Sequence, residues 1–572
     1  MSASVTPLLG RRATNAEAAA APEPEQQAHH PWLLGVCCLA QFMVILDVSI
    51  VNVALPSIHR SLGFSSSNLV WVVNAYTITF AGFLMLSGRA ADLWGGRRTF
   101  VAGLLLFALA SLAGGTAQTQ GMLVGARALQ GFGGAGMAAA SLAIITHSYA
   151  AGPSRHRAIG LWGAMNGAGG AAGTLLGGVI TQELTWRWVL LINLPIGLAA
   201  AAVAWVAVHE WRNENKSSFD IAGALTVTGG LLAFVYGIVS AGQHGWGSAA
   251  ALVPIGIGVA LLALFILIEA RFASAPLVPL RVFRGPLLRS ANGVVVLMSA
   301  AIFPMWFFAS LYLQEVLGYG PLDTGLAFLP MALTIMACGT LAGGVVGRFG
   351  AGRVLASGLV LLAVGLALFA RISVDGSYAG EFLPASLLVA LGVGLSIVPS
   401  TIAATATAAP GEAGLVSGLV NTSRQMGGAL GLALLATFSV QYAKHLIEVD
   451  YRAPLLAVND GFRLAFGLGA GLSAIAALVA WLLIVRRAPQ GQAPAAPVAA
   501  PAPASAAVEP IAPQPVPAPA APVAPAAPPL APATAAASAS PLPVRLTSSS
   551  GGAWALGKGS CTLAYARRGT AG

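Results

Sequence analysis

The sequence predicts an all-α polytopic membrane protein that crosses the bilayer about fourteen times, and three observations carry that prediction. Of 572 residues, 57% are hydrophobic and only 8% charged, with 69 glycines and a mean hydropathy of +0.79, a composition that would leave a soluble domain without a polar surface. Apolar runs of roughly twenty residues, the length of helix that spans hydrocarbon, recur at 32–55, 68–87, 99–118, 121–146, 157–180, 188–208, 220–241, 250–270, 288–313, 323–346, 352–371, 382–405, 413–437 and 462–485. The runs are continuous instead of alternating over about ten residues, which excludes a transmembrane β-barrel.

Residues 1–31 are polar and Ala-rich, and the first run is too long for a signal-peptide core, so the first helix itself is expected to direct insertion. Orientation follows from basic residues in short loops. One set of loops carries Arg89, Arg97, Arg98, Arg155, Arg157, Arg212, Lys216, Arg271, Arg281, Arg284, Arg289, Arg348 and Arg353. The opposite set has little beyond Arg60, Arg187, Lys444 and Arg452. Both termini are therefore expected in the cytoplasm of a multi-pass cytoplasmic-membrane protein. The formal charge of +10 is spread over these loops without a single basic face, which favours anionic lipid over nucleic acid as its partner.

The first run places Asp47 inside otherwise apolar sequence. Ionising a side chain at that depth costs about 2.5–3.5 kcal/mol on insertion scales, so the group needs a partner, a wet cavity or a proton. A hydrogen bond to a neighbouring helix is the simpler structural alternative. The second run is followed by Gly88-Arg89-Ala-Ala-Asp92-Leu-Trp-Gly95-Gly-Arg97-Arg98, and the tenth by Gly343-Gly-Val-Val-Gly347-Arg348-Phe-Gly350-Ala-Gly-Arg353. The shared Gly-x3-(Asp or Gly)-x2-Gly spacing predicts a duplicated chain in which spans 1–6 match spans 9–14. The expected domains are a cytoplasmic segment 1–31, a six-helix bundle 32–208, a linker 209–287 with two extra helices, a second bundle 288–487 and a tail 488–572. In the loop after span 2, Asp92 is read near a helix N-terminus with arginine partners, where the dipole favours it; fixing topology alone is an equal reading of these charges.

Span 4 carries Arg127. Asp47 lies roughly eight residues before the outer end of span 1 and Arg127 about six after the outer start of span 4, depths of about 12 and 9 Å at 1.5 Å per residue. The two could meet. Span 5 holds Gly163, Gly167, Gly169, Gly170, Gly173, Gly177 and Gly178, intervals that let helices approach closely. At the entrance to span 6, Trp186 and Trp188 read as interfacial anchors. Asn52, Gln130, Asn193, Asn421, Arg424 and Gln425 are candidates for lining a central cavity, with Arg424 near mid-membrane in span 13. Trp71, Tyr76, Trp306, Phe307, Tyr312 and Met331 are as readily lipid-facing as substrate-facing.

Cys37, Cys38, Cys338 and Cys561 show neither a disulfide framework nor metal-ligand spacing, and small apolar packing accounts for those in the spans. Beyond Arg487 the composition turns to Pro and Ala up to about Pro543, a disordered or polyproline-like spacer. Near its end Gly552-Ala-Trp-Ala-Leu-Gly557-Lys558 approaches a phosphate-binding loop, but Gly559 stands where Ser or Thr must hold magnesium, so no nucleotide, cofactor or metal site is expected.

Several stretches together resemble the major facilitator superfamily, and within it the fourteen-helix drug/proton antiporter branch of the EmrB/QacA type, over about residues 32–487. They are Leu46 to Pro56 in span 1, the Gly88–Arg98 loop, Arg127 to Gly136 in span 4, the span 5 glycines, Trp186 to Pro195, and Gly414 to Gly428 in span 13. The resemblance implies a major facilitator fold of two six-helix bundles plus two inserted helices. It implies proton coupling through Asp47 and Arg127, and a gating loop of Gly88, Asp92, Gly95, Arg97 and Arg98 that latches cytoplasmic helix ends in the outward-open state. It further implies a sealing, rocking interface at Gly173, Gly177 and Gly178. Ala90 and Leu93 depart from the loop pattern, and Thr174 replaces the proline that helps kink span 5, which leaves export against import open.

The expected function is proton-coupled efflux of amphipathic, often cationic, drugs or metabolites by alternating access, with no enzymatic chemistry and with substrate, protons and lipid as partners. An importer or dedicated exporter of one metabolite is the transport alternative; a non-transporting sensor or scaffold using the tail is the other. Heavy Ala and Gly usage with Arg over Lys suggests a high-GC bacterial source.

Overall fold

A computed structural model of the chain describes residues 32–149, 152–211, 219–273, 276–406 and 413–486. The chain divides into the units Met1–Ala499 and Ala500–Gly572. The N-terminal segment, Arg212 and Lys216, and the Pro/Ala-rich tail with its Gly552–Gly559 stretch and Cys561 lie outside the described residues.

The described residues form helices without a strand. In chain order they are α1 Trp32–Leu62, α2 Val70–Leu93, α3 Gly96–Gly115, α4 Gln120–Ser148, α5 Pro153–Glu183, α6 Trp188–Ala207, α7 Ile221–His244, α8 Ala249–Phe272, α9 Pro286–Val316, α10 Pro321–Phe349, α11 Ala351–Phe369, α12 Tyr378–Thr405, α13 Ala413–Glu448 and α14 Pro454–Val485. Thirteen are long and apolar enough to cross a membrane. The remaining helix is α5, whose glycines dilute its hydropathy. It is sandwiched between α1 and α10, so it needs little lipid-facing surface.

In two helices the local geometry is set by proline. α1 runs past residue 55 to Leu62 with Pro56 inside it. Pro56 has no N–H for the carbonyl of Asn52 four residues back, and that oxygen instead accepts from Ser310 Oγ of α9 at 2.8 Å. In α6 the helix breaks at Ile192, between Trp188–Leu191 and Asn193–Ala207, because Pro195 cannot donate to Leu191.

The duplication is visible in who touches whom. α1 packs on α4, α5 and α6, α2 on α4, and α3 on α4 and α6; eight helices on, α9 packs on α12, α13 and α14, α10 on α12, and α11 on α12 and α14. The two repeated loops match as well: Gly95 and Gly350 cap α3 and α11 at φ +121° and +84°, a backbone region that favours glycine. Between the six-helix halves, α5 meets α10, α2 meets α13 and α1 meets α9, while the inserted α7 lies against both α2 and α13. The helix paired with it, α8, is only 11% buried over its most apolar window, as a lipid-facing helix should be.

The halves are closed at the end that carries Leu62, Glu183 and Val316. There Gln314 Nε2 donates to Val53 O at 2.9 Å, His59 meets Glu315 at 3.2 Å, and Leu322 N donates to Gln182 Oε1 at 3.2 Å. Toward the opposite, arginine-rich end α5 and α10 diverge. A Cβ on Gly160 or Gly163 of α5, or on Gly339, Gly343, Gly344 or Gly347 of α10, would meet nothing within 4 Å.

α5 carries two glycine faces. A Cβ on Gly173 would stand 2.6 Å from Ser49 Cβ of α1, and one on Gly177 3.0 Å from Ile50 O; Gly178 instead faces α10, 2.6 Å from Pro321 O. Gly173 and Gly177 therefore serve packing within the first bundle, and Gly178 the junction between halves. Gly173→Leu is expected to force α1 and α5 apart and cost about 2–3 kcal/mol through overpacking, read as a lower unfolding midpoint in detergent. An unchanged midpoint would show that the close approach is dispensable.

Candidate functional site

Asp47 is fully buried at the middle of α1, and three helices converge on its carboxylate. Oδ2 accepts from Arg127 Nη1 of α4 at 2.5 Å; Oδ1 accepts from Gln130 Nε2 of α4 at 3.2 Å and from Asn193 Nδ2 of α6 at 3.1 Å. The depth arithmetic that let Asp47 and Arg127 meet is matched by direct contact.

Arg127 is itself enclosed, at 1% exposure. Its Nε donates to Val72 O of α2 at 2.9 Å, Nη1 also donates to Gln130 Oε1 at 2.8 Å, and the guanidinium lies 4.5 Å from the Tyr76 ring centroid. Gln130 Nε2 continues the network to Ser111 Oγ of α3 at 2.6 Å, and Ser111 donates to Phe107 O. Arg127 and Gln130 are three residues apart and so share one face of α4. Gly131, against Tyr76 O of α2, keeps the α2–α4 distance short enough for Arg127 to reach Val72.

The chemistry is that of an ion pair removed from water. Desolvating two charges costs several kcal/mol per ion, and the cost is offset only when the remaining donors and acceptors are filled. Here one carboxylate accepts three hydrogen bonds and one guanidinium is shared among carboxylate, amide, carbonyl and aromatic face. The Tyr76 hydroxyl and Asn193 Oδ1 stay without hydrogen-bond partners, so the network has unused polar capacity beside the acid.

This geometry corrects two expectations. Gln130 and Asn193, expected at the cavity, are fully buried, because Asp47 supplies the acceptor their amides need. Tyr76, Phe307, Tyr312 and Met331 are likewise interior packing: Tyr76 stacks under Arg127, and Tyr312 donates to Ser373 O at 2.8 Å. Ser111 and the Val72 carbonyl had no distinguishing mark in the sequence.

The α2–α3 loop differs from its expected wiring. Asp92 lies exposed in the last turn of α2, the unfavourable end of the dipole for an acid, with Arg89 the nearby charge. Arg97 and Arg98 turn instead to Glu210, just beyond α6, at 3.8 and 3.4 Å. Arg97 also lies 4.6 Å from the Trp205 ring, and a Cβ on Gly95 or Gly96 would collide with Glu210 or Trp211. Gly88 has open space around it. Glu210 is one of several acids on the arginine-rich side, with Glu214 and Asp220 close behind it, and nothing in its spacing sets it apart. Since these side chains are partly exposed, Glu210→Gln is expected to cost no more than about 1 kcal/mol while raising amide hydrogen exchange at residues 95–98. Unchanged exchange there would rule Glu210 out as the anchor.

Residues 37–432 match the family model of the Major Facilitator Superfamily. The chain belongs to the Major Facilitator Superfamily. A cephamycin export protein of Amycolatopsis lactamdurans is 42% identical over 410 residues, covering 71% of this chain and 84% of that protein. A puromycin resistance protein of Streptomyces alboniger is 38% identical over 462 residues, covering 80% and 92%. Among solved structures, an inward-facing, unoccupied bacterial homologue of the human lysosomal transporter Spinster superposes at TM-score 0.58 with 16% identity, over 80% of this chain and 98% of that one, a likeness of fold.

Within this major facilitator fold the remaining candidates sit as follows. Asn52 is partly exposed and donates from Nδ2 to Val48 O at 3.0 Å while its carbonyl holds Ser310. Asn421, Arg424 and Gln425 are partly exposed on α13. Thr174 is buried, donates to Ala171 O at 3.0 Å and leaves α5 unbroken, and its own carbonyl lies 2.6 Å from where a Cβ on Gly325 of α10 would be. Its position therefore belongs to the α5–α10 junction.

Proposed function

We propose that this major facilitator protein is a proton-coupled exporter of amphipathic drugs or metabolites in the cytoplasmic membrane, of the fourteen-helix drug/proton antiporter type. The observation that carries the coupling is the sealed Asp47–Arg127–Gln130–Asn193 network. The export direction is supported by the cephamycin export and puromycin resistance relatives.

The positive-inside rule puts the arginine-rich end, and both termini, in the cytoplasm. On that assignment the described state is open inward and closed outward by the α1–α9 and α5–α10 contacts. Protonating Asp47 removes the charge that Arg127 is paired with and weakens the bonds Gln130 and Asn193 make to it, so α1, α4 and α6 lose their common anchor. The helices that meet there include α1, which also bears the outer contacts to Ser310 and Gln314 of α9. A proton arriving from outside thus biases the two halves toward a new packing and release of substrate, and its loss to the cytoplasm rearms the carrier. A potential of 100 mV contributes about 2.3 kcal/mol for each net charge moved.

The test is ethidium transport into everted membrane vesicles. Respiration-dependent ethidium uptake that a protonophore abolishes supports the reading. Uptake that survives the protonophore, or none beyond vesicles lacking the protein, overturns it.

A further inference from the structure

Arg424 stands well inside α13, away from either helix end, and its surroundings are the reverse of those of Arg127. Its Nε and Nη2 atoms are enclosed by protein and have no hydrogen-bond partner, although the residue as a whole is partly exposed. No ion pair joins it to a carboxylate among the described residues. Asp47 is occupied by Arg127, and the other described carboxylates stand at or near helix ends.

The neighbouring amide is spoken for as well. Asn292 of α9 accepts from Ser423 Oγ at 3.0 Å and donates to Leu288 O at 3.1 Å. α13 packs on its own half and faces the other: a Cβ on Gly427 would press on Val296 O of α9, and one on Gly418 would stand 3.5 Å from Met85 of α2. Ser417, Asn421 and Arg424 follow the i, i+4, i+7 spacing of one helix face, with Gln425 beside them, and all four are partly exposed; Gly428, one turn further on, is buried against Phe303 of α9. That face offers a polar lining around one unneutralised cation.

The two unpaired atoms are chemically specific. Nε and Nη2 form one edge of the guanidinium, with parallel N–H bonds spaced to hold both oxygens of a carboxylate. A buried donor left unpaired carries its full desolvation penalty until an acceptor arrives, and a cation in a membrane interior carries more.

We propose that Arg424 is the anchor for a carboxylate on the transported molecule, with the Asn421 and Gln425 amides flanking it, so that the second half recognises substrate while the first carries the proton. This rests on the transport reading above and deepens it: the preferred substrates are amphiphiles with one free carboxyl group.

The experiment uses two dyes that share one ring system, rhodamine 110 with its free carboxyl and rhodamine 123, its methyl ester. Their affinities for the purified full-length protein are measured by fluorescence anisotropy, and their uptake into energised everted vesicles is followed in parallel. Wild type is expected to bind rhodamine 110 more tightly, and Arg424→Gln to shift the ratio of the two affinities by about tenfold or more toward the ester. Arg424→Lys, which keeps the charge but loses the fork, is expected to restore part of that ratio. A ratio unchanged in Arg424→Gln, whether both affinities fall together or neither moves, overturns the proposal. Vesicle transport of rhodamine 123 without carboxylate preference would overturn this proposal and leave export standing; protein-independent behaviour of both dyes would remove both.

Discussion

Arg127→Met is expected to destabilise the protein by about 3–5 kcal/mol, the range for removing one partner of a buried ion pair. Asp47 would be left with the Gln130 and Asn193 amides alone in a site of zero exposure, and α2 would lose the bond from Arg127 Nε to Val72 O. Methionine fills much of the volume, so the loss is electrostatic more than steric. The sign of the effect is checked by the double variant: adding Asp47→Asn removes the stranded charge and is expected to recover a large part of the stability, giving a coupling energy above about 1 kcal/mol. Thermal or denaturant unfolding in detergent measures both. A single variant within about 0.5 kcal/mol of wild type would show that the pair does not hold the bundle.

Asp47→Asn is expected to abolish uphill transport while leaving the carrier folded. Asparagine has the shape of aspartate and keeps one acceptor oxygen for Arg127 and Gln130, but it mimics the protonated state permanently. One net charge moved through 100 mV is worth about 2.3 kcal/mol, a gradient of roughly fifty-fold in substrate. That accumulation is expected to collapse toward equilibrium in energised vesicles. Downhill exchange of labelled for unlabelled substrate, which needs no proton cycle, is expected to continue at a measurable rate. Full accumulation by Asp47→Asn would remove this residue from coupling.

The helices and their order are legible in the sequence because each is a long apolar run, and even the 6 + 2 + 6 arrangement shows in two glycine-spaced loops whose capping glycines share positive φ. The Asp47–Arg127 contact is legible too, since a charge deep in hydrocarbon demands a partner and depth follows from residue count. Gln130 and Asn193 were misplaced at the cavity for a physical reason: hydropathy says that a polar side chain is intramembrane, but not which way its helix is turned. The same ambiguity hid the interior packing of Tyr76 and Tyr312. Glu210 escaped because its role depends on α6 returning beside the α2–α3 loop, a tertiary contact that no local spacing records. α5 was readable as a span from its Ala- and Gly-rich run at 157–180, and the structure shows that its glycines face protein on two sides.

The central claim is that Asp47 exchanges a proton as the carrier moves drug. The direct measurement places purified protein in liposomes containing a lumenal pH dye and imposes an outward-to-inward ethidium gradient with no initial pH difference. Wild type is expected to drive protons out of the lumen as ethidium enters, and Asp47→Asn to show no proton flux. Ethidium movement by wild type without a lumenal pH change, or an undiminished proton flux in Asp47→Asn, would contradict the account.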